Sequence, residues 1–326
     1  MRFGAFVPQG WRMDLVGIDG AWNQWTIMVE RARNFEQWGY DGLWLFDHFH
    51  TIPDPTQEPT FECWTACAAL AQATSTIRIG QMVGCNMYRP PTVLAKIAST
   101  LDVISNGRLD FGLGAGWYVQ EMVAYGFPFP PPGPRIDMLD EALTIIRGMF
   151  TRELFRFEGR HYTVGVGEVP NIFRGGETKI EGIICQPKPI QKHVPFWVGG
   201  GGEKKTLKVV ARHADFANYF AAPLDVVKHK NEVLDLHCRS LGRDPEEVKR
   251  SVCLEIFFGT REQAERRQGR KLGAGLVAET SAARMIEQLA PYRDEGRIET
   301  LIAYFPDAAD GDSAQRFAEE VMPALR

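Results

Sequence analysis

Short apolar runs alternate along this chain with longer stretches of helical periodicity. The runs fall at residues 3–7, 42–46, 77–83, 109–113, 196–198, 216–219, 251–257 and 300–304. They read as strands, and the run at 42–46 is apolar nearly throughout. Between them, helical spacing predicts helices over 22–38, 63–73, 91–104, 138–150, 204–212, 224–241 and 282–293, with a last one over 313–325. In the first helix Ile27, Ala32 and Phe35 are among the apolar positions. Eight strands in strict alternation with helices imply parallel βαβ units. Right-handed crossovers all the way round close such units into a (β/α)₈ TIM barrel, and residues 1–326 read as one α/β domain of that class. The alternative is an open, doubly wound sheet. The first strand runs into Pro8-Gln9-Gly10-Trp11, which is not the G-x-G-x-x-G phosphate turn of that fold. Residues 151–194 break the alternation. This Gly- and Pro-containing stretch is too long for a plain connection. It reads as an insertion between the fourth helix and the fifth strand, near the barrel mouth, built of short strands or loops.

Composition then narrows the function classes. The chain has 326 residues, 44% hydrophobic and 24% charged, with room for a large core. Its formal net charge of −4 gives no basic field to hold nucleic acid or an anionic membrane. No apolar run approaches the roughly 18–20 residues of a membrane span. The N-terminus reads as a buried strand rather than a signal peptide, so the expected compartment is the cytoplasm. Six cysteines are scattered without a C-x-x-C pair. Cys63 and Cys67 share a helix face and read as small buried hydrophobes, and no metal site is expected.

In a barrel of this kind chemistry sits at the C-terminal ends of the strands. The second strand ends in Asp47-His48, and the third in Met82-Val83-Gly84-Cys85-Asn86. The fourth ends in Gly112-Leu113-Gly114-Ala115-Gly116-Trp117, and the fifth in Gly199-Gly200-Gly201-Gly202-Glu203. The glycine run is the strongest physical signal. Bare backbone amides before a helix start form a phosphate cradle. A tight turn alone would need one or two such glycines, not four. His48 could move a proton beside a reacting atom, or it could be a satisfied polar residue at the rim. Asp47 could orient the His48 ring or contact a cofactor. Ala115, Gly116 and Trp117 would border a flat ligand above the fourth strand. Trp117 reads equally well as a packing residue.

At these positions the sequence resembles the luciferase-like monooxygenase family, and within it the branch that uses the deazaflavin coenzyme F-420. The matching pieces run in order. They are Gly39 to His48, Tyr88-Arg89-Pro90-Pro91 with Ala95-Lys96, Thr100 to Leu109, Gly114-Ala115-Gly116-Trp117 with Glu121, Gln186-Pro187, Pro195 to Gly200, and Gly242-Arg243-Asp244-Pro245. The resemblance implies an oxidoreductase with a small-molecule substrate, coenzyme F-420 as hydride carrier and FMN as the alternative. It implies a cofactor ring across the strand ends, supported by a cis peptide at Met82–Val83 and bordered by Gly84 and Cys85. Asp47 and His48 would lie at its reactive edge as catalytic residues, and Gly199, Gly200, Gly201 and Gly202 would hold its phosphate. Lys204, Lys205 and Arg174 are candidates for attracting an anionic tail. Family members are often homodimers. Some dehydrogenases of this branch carry a glutamate where this chain has Trp117, which argues against a sugar-phosphate substrate. An FMN-dependent monooxygenase and a non-catalytic flavin-binding barrel are the competing readings.

Overall fold

The structure is a computed structural model that describes residues 1–326. Eight parallel strands form the barrel: β1 Arg2–Phe6, β2 Gly42–Leu45, β3 Arg78–Gln81, β4 Leu109–Gly114, β5 Phe196–Gly199, β6 Phe216–Phe220, β7 Lys249–Phe258 and β8 Ile298–Tyr304. Each pairs with its neighbour in order. β8 pairs back onto β1, and β4 onto β5, so the sheet closes. The helices around it begin α1 Ala21–Gln37, α2 Cys63–Ala73, α3 Pro91–Ile104, α4 Val119–Ala124 and α5 Pro132–Thr151. They continue with α6 Thr206–His213, α7 Leu224–Ser240, α8 Arg261–Gln268 and α9 Ala282–Asp294, and helical turns over residues 312–325 end the chain.

The barrel interior is aromatic because small residues leave room for it. A Cβ on Gly4 would stand 2.3 Å from the Trp44 indole nitrogen, and one on Gly80 would stand 2.3 Å from the far side of the same ring. Trp44 therefore lies flat across two glycines on the neighbouring strands. Trp197 meets it edge-on at 4.7 Å and stacks on Phe216 at 3.8 Å. Phe6 and Phe46 stack at 4.0 Å. These rings bury large apolar areas and make the barrel a filled core rather than a pore. Cys63 and Cys67 are buried in the larger core cluster between strands and helices.

Three expectations need correction. The fourth long helix starts at Pro132, six residues before the expected 138, because Pro131-Pro132 opens it. Proline at the first helical position needs no amide and arrives with helical φ. The helix expected from 204 starts at Thr206. The third expectation omitted α4, α8 and a short strand Leu276–Glu279 that pairs with β7. Residues 152–195 hold two small antiparallel hairpins, Phe157–Glu158 with Thr163–Val164 and Gly167–Pro170 with Glu177–Ile180. The Asn86 amide donates to the Tyr162 hydroxyl of the first hairpin at 3.3 Å. No helix is long and apolar enough to cross a membrane.

Candidate active site

Most of the strand-end residues line one cavity of about 600 Å³: Asp47, His48, Met82, Val83, Gly84, Cys85, Gly114, Ala115, Gly116, Trp117 and Gly199 through Gly202, while Asn86, Gly112, Leu113 and Glu203 do not. Trp11, Tyr118, Arg135, Thr206, Asn218 and Phe220 line it as well. The Met82–Val83 peptide is cis. The Val83 side chain needs two glycines around it. A Cβ on Gly114 would meet Val83 at 2.7 Å, and one on Gly199 at 3.0 Å.

His48 is held on three sides. Its Nδ1 lies 2.8 Å from Glu121 Oε2. Its ring stacks on Trp11 at 4.2 Å, nearly parallel, and meets Trp117 edge-on at 5.9 Å. Glu121 is fully buried on α4. Besides His48 it accepts from the Tyr88 hydroxyl and from the amides of Phe49, at 2.6 Å, and His50, at 3.3 Å. Burial raises its carboxyl, but the hydrogen bonds from His48, Phe49 and Tyr88 and the His48 charge outweigh that, and the net shift is downward. An ionised, four-fold satisfied carboxylate can only accept, so the hydrogen-bond network assigns the proton to Nδ1. Nε2 makes no bond within the protein and is left for a ligand.

Asp47 does not orient His48, contrary to one of its two expected roles. Its carboxylate takes two hydrogen bonds from Arg89, at 2.8 and 3.1 Å, and one from the Cys85 amide at 2.9 Å. Arg89 also reaches Glu62, the cap of α2, at 2.6 Å. Burial works against the Arg89 charge, but Asp47 and Glu62 more than restore it, and its pKa lies above the arginine norm. Asp47 thus ties the ends of β2 and β3 together. Burial, with the Asp47 charge beside it, pushes the Cys85 thiol up to about 12, so at neutral pH it is an inert wall.

The glycine run forms the opposite end of the cavity. Gly200 has φ +120°, and its amide bonds to Asn218 O. From residue 201 through 206 the amides have no acceptor in the protein, and α6 begins at Thr206 with no side-chain cap. Such a row of free donors at a helix start could receive an anion. Arg135, on the first turn of α5, lines the same cavity. Its guanidinium is buried, stacks on Phe129 at 4.0 Å and has an Nε without a partner. No carboxylate neutralises it. Lys205 is paired with Asp137 at 2.8 Å, and Arg174 stands in the second hairpin, away from the cavity lining.

The loop carrying Trp11 has its own titratable group. Asp14 accepts from the amides of Gln9, at 3.3 Å, and Gly10, at 2.7 Å. Burial raises its pKa from 3.8 to about 6, with those amides and Arg12 opposing. A raised folded pKa contributes stability that is complete below 3.8 and is lost as pH rises through 6. The two-unit shift corresponds to about 3 kcal/mol. Asp14→Asn keeps the acceptor without the charge. It should match the wild type in melting temperature near pH 4 and exceed it by about 5 °C at pH 7. Parallel melting curves across that range check this, and an unchanged gap would refute it.

With this geometry in hand, the comparisons define the class. The chain matches the luciferase-like monooxygenase family over residues 1–323 and belongs to it. An uncharacterized protein of Mycobacterium tuberculosis is 30% identical over 210 residues, 60% of this chain and 67% of that one. The F-420-dependent hydroxymycolic acid dehydrogenase of the same organism is 28% identical over 241 residues, 73% of this chain and 61% of that one. A solved F-420-dependent secondary alcohol dehydrogenase, in complex with an F-420–acetone adduct, has a TM-score of 0.79 at 20% identity. The match covers 100% of this chain and 99% of that one, and at such identity it is a likeness of fold.

Proposed function

We propose that this protein is an F-420-dependent oxidoreductase acting on a small organic molecule at a carbon that bears a hydroxyl or carbonyl. The observation that carries this is the free Nε2 of His48, fixed by Glu121 and Trp11, in a cavity also lined by Gly201, Gly202 and Thr206, whose amides have no protein acceptor. The relatives named as F-420-dependent support the choice of coenzyme.

The chain fits the coenzyme at its anionic end. The amides of residues 201–206 and the unpartnered Nε of Arg135 would hold the phosphate, and Val83 would support one face of the ring. Bound there, the deazaflavin would supply hydride chemistry. The chain supplies the proton handling. An alcohol that gives up a hydride must also release its hydroxyl proton, and neutral His48 accepts it at Nε2. In the reverse direction the protonated ring returns that proton to the carbonyl oxygen. Glu121 stabilises the charged ring in both cases, and Trp11 keeps it in plane.

The test is a pair of titrations of the purified protein, one with F-420 and one with FMN. Binding of F-420 at micromolar concentration or below is expected, with hydride transfer to or from a secondary alcohol or ketone and no oxygen uptake. Tight FMN binding without F-420 binding would overturn the reading in favour of a flavin monooxygenase.

A further inference from the structure

Glu121 distributes its four donors unevenly. The backbone amides of Phe49 and His50 go to Oε1, at 2.6 and 3.3 Å. The two side-chain donors, His48 Nδ1 and the Tyr88 hydroxyl, both go to Oε2. His48 therefore shares its carboxylate oxygen with a second donor. Tyr88 stands between β3 and α3, and its ring is buried against Phe49 at 4.7 Å and Phe127 at 5.1 Å. Its amide bonds to Cys85 O at 3.2 Å, so both ends of the residue are held. Burial, and after it the bond to Glu121, pushes the phenol well above its ordinary value, and the hydroxyl stays a donor at neutral pH. Proton exchange at Nε2 does not itself involve this hydroxyl.

The sharing has a direction. A carboxylate beside an imidazole stabilises the charged ring, and a buried carboxylate does so strongly because little water screens it. An imidazole gripped by an unshared buried carboxylate tends to stay protonated, with no place at Nε2 for a hydroxyl proton. A second donor on the same oxygen takes up part of its charge and weakens its pull on the ring. The other groups around His48 do not act in this way. Trp11 and Trp117 carry no charge, and Arg12, over the Trp11 ring, is paired with Glu255. Tyr118 meets the ring edge-on at 5.9 Å, but its hydroxyl bonds to Gln120 and Pro53 O. The His50 ring bonds to Thr51 O, the Asp47 charge is met by Arg89, and Cys85 is a neutral thiol.

Resting on the reading of His48 as the proton acceptor of an alcohol oxidoreductase, we propose that Tyr88 is a positioning residue that acts on His48 through Glu121. Its hydroxyl fixes Oε2 in place and shares its charge, so that the carboxylate orients the ring without holding it permanently charged. The ring is then neutral when the alcohol arrives and still has a partner once it has taken the proton.

The experiment is Tyr88→Phe, which removes one oxygen and keeps the ring in its packing. In the cofactor-free protein the ring NMR signals of His48, identified by their loss in His48→Ala, report the pH midpoint at which the ring titrates. That midpoint should rise in Tyr88→Phe by about half a unit to one unit, the effect of part of one hydrogen bond to a charged group. In turnover, the acid limb of the kcat profile for alcohol oxidation should move to higher pH by the same amount. That is a loss of about three- to tenfold on the limb, with KM nearly unchanged and the plateau kept. A second variant reads the opposite sign: 3-fluorotyrosine placed at position 88 is a stronger donor of nearly the same shape, and it should lower the midpoint. A midpoint that stays in place in both variants, or that moves the same way in both, would overturn the proposal. So would a kcat loss of one constant factor at every pH, which is what a merely structural hydroxyl would give. The NMR titration needs no cofactor, so it stands or falls separately from the F-420 titration.

Discussion

Replacing His48 by alanine should lower kcat by about 10²–10⁴-fold while leaving the dissociation constant for F-420 within about threefold. The asymmetry follows from where the ring stands. His48 has its Nδ1 committed to Glu121 and one face committed to Trp11, so what it offers the cavity is Nε2. The proposed phosphate contacts belong to a different end of the cavity, the amides of residues 201–206 and Arg135. Removing the imidazole deletes the proton acceptor without touching the anion site. Stopped-flow turnover combined with fluorescence titration of F-420 measures both quantities on one preparation. If both fell by the same factor, His48 would be a binding residue and the proposed proton transfer would be wrong. Asp47→Asn should behave in the opposite way. Asp47 ties Arg89 and the Cys85 amide to the end of β2 and does not touch His48. Its loss should destabilise the strand ends that frame the cavity and weaken cofactor binding more than the chemical step.

The parts of this site that were legible in the sequence are those a local rule can reach. A strand followed by Asp47-His48, or by four glycines, announces itself because strand ends in a closed barrel converge on one face. The partner of His48 could not be found that way. Glu121 is 73 residues away and reaches the histidine only because the ends of β2 and β4 are brought to the same face of the closed barrel. Its sequence signal was present as part of a family motif, but nothing local says which side chain it accepts from. Trp11 was hidden for the same reason. Arg135 was missed differently. The helix was expected only from 138, although Pro132 at the first helical position is a helix start, and moving the start from 138 to 132 puts Arg135 on the first turn, lining the cavity. α8 was invisible because its sequence, Arg-Glu-Gln-Ala-Glu-Arg-Arg-Gln, has no apolar stripe. Of its residues only Ala264 and Gln268 are buried. The hairpins in 152–195 have two- and four-residue strands with mostly exposed or half-exposed faces, so no alternation of apolar and polar positions marks them.

Glu121→Gln should cost nearly as much activity as His48→Ala and should also destabilise the fold by about 2–4 kcal/mol. The carboxylate takes four donors: the His48 Nδ1–H, the Tyr88 hydroxyl and the amides of Phe49 and His50. A glutamine of the same size has one oxygen to accept with, and its NH₂ group faces donors. Two consequences follow. Buried donors are left unsatisfied, which is the source of the lost stability. If the amide NH₂ turns toward His48, Nδ1 becomes an acceptor and the ring proton moves to Nε2, the wrong tautomer for taking a hydroxyl proton. The pH dependence has a definite sign. The folded pKa of Glu121 is depressed, so its contribution is complete above the ordinary value of 4.5 and is lost as pH falls through the folded value. The stability gap between wild type and Glu121→Gln should therefore narrow in acid. A double-mutant cycle separates positioning from mere structure. If Glu121 acts through the histidine, adding Glu121→Gln to His48→Ala should lower kcat by less than about threefold further, because the group it positions is already gone. Additive losses in kcat would show that Glu121 does not work through His48. A variant that melts early but turns over normally once folded would show that its role is structural.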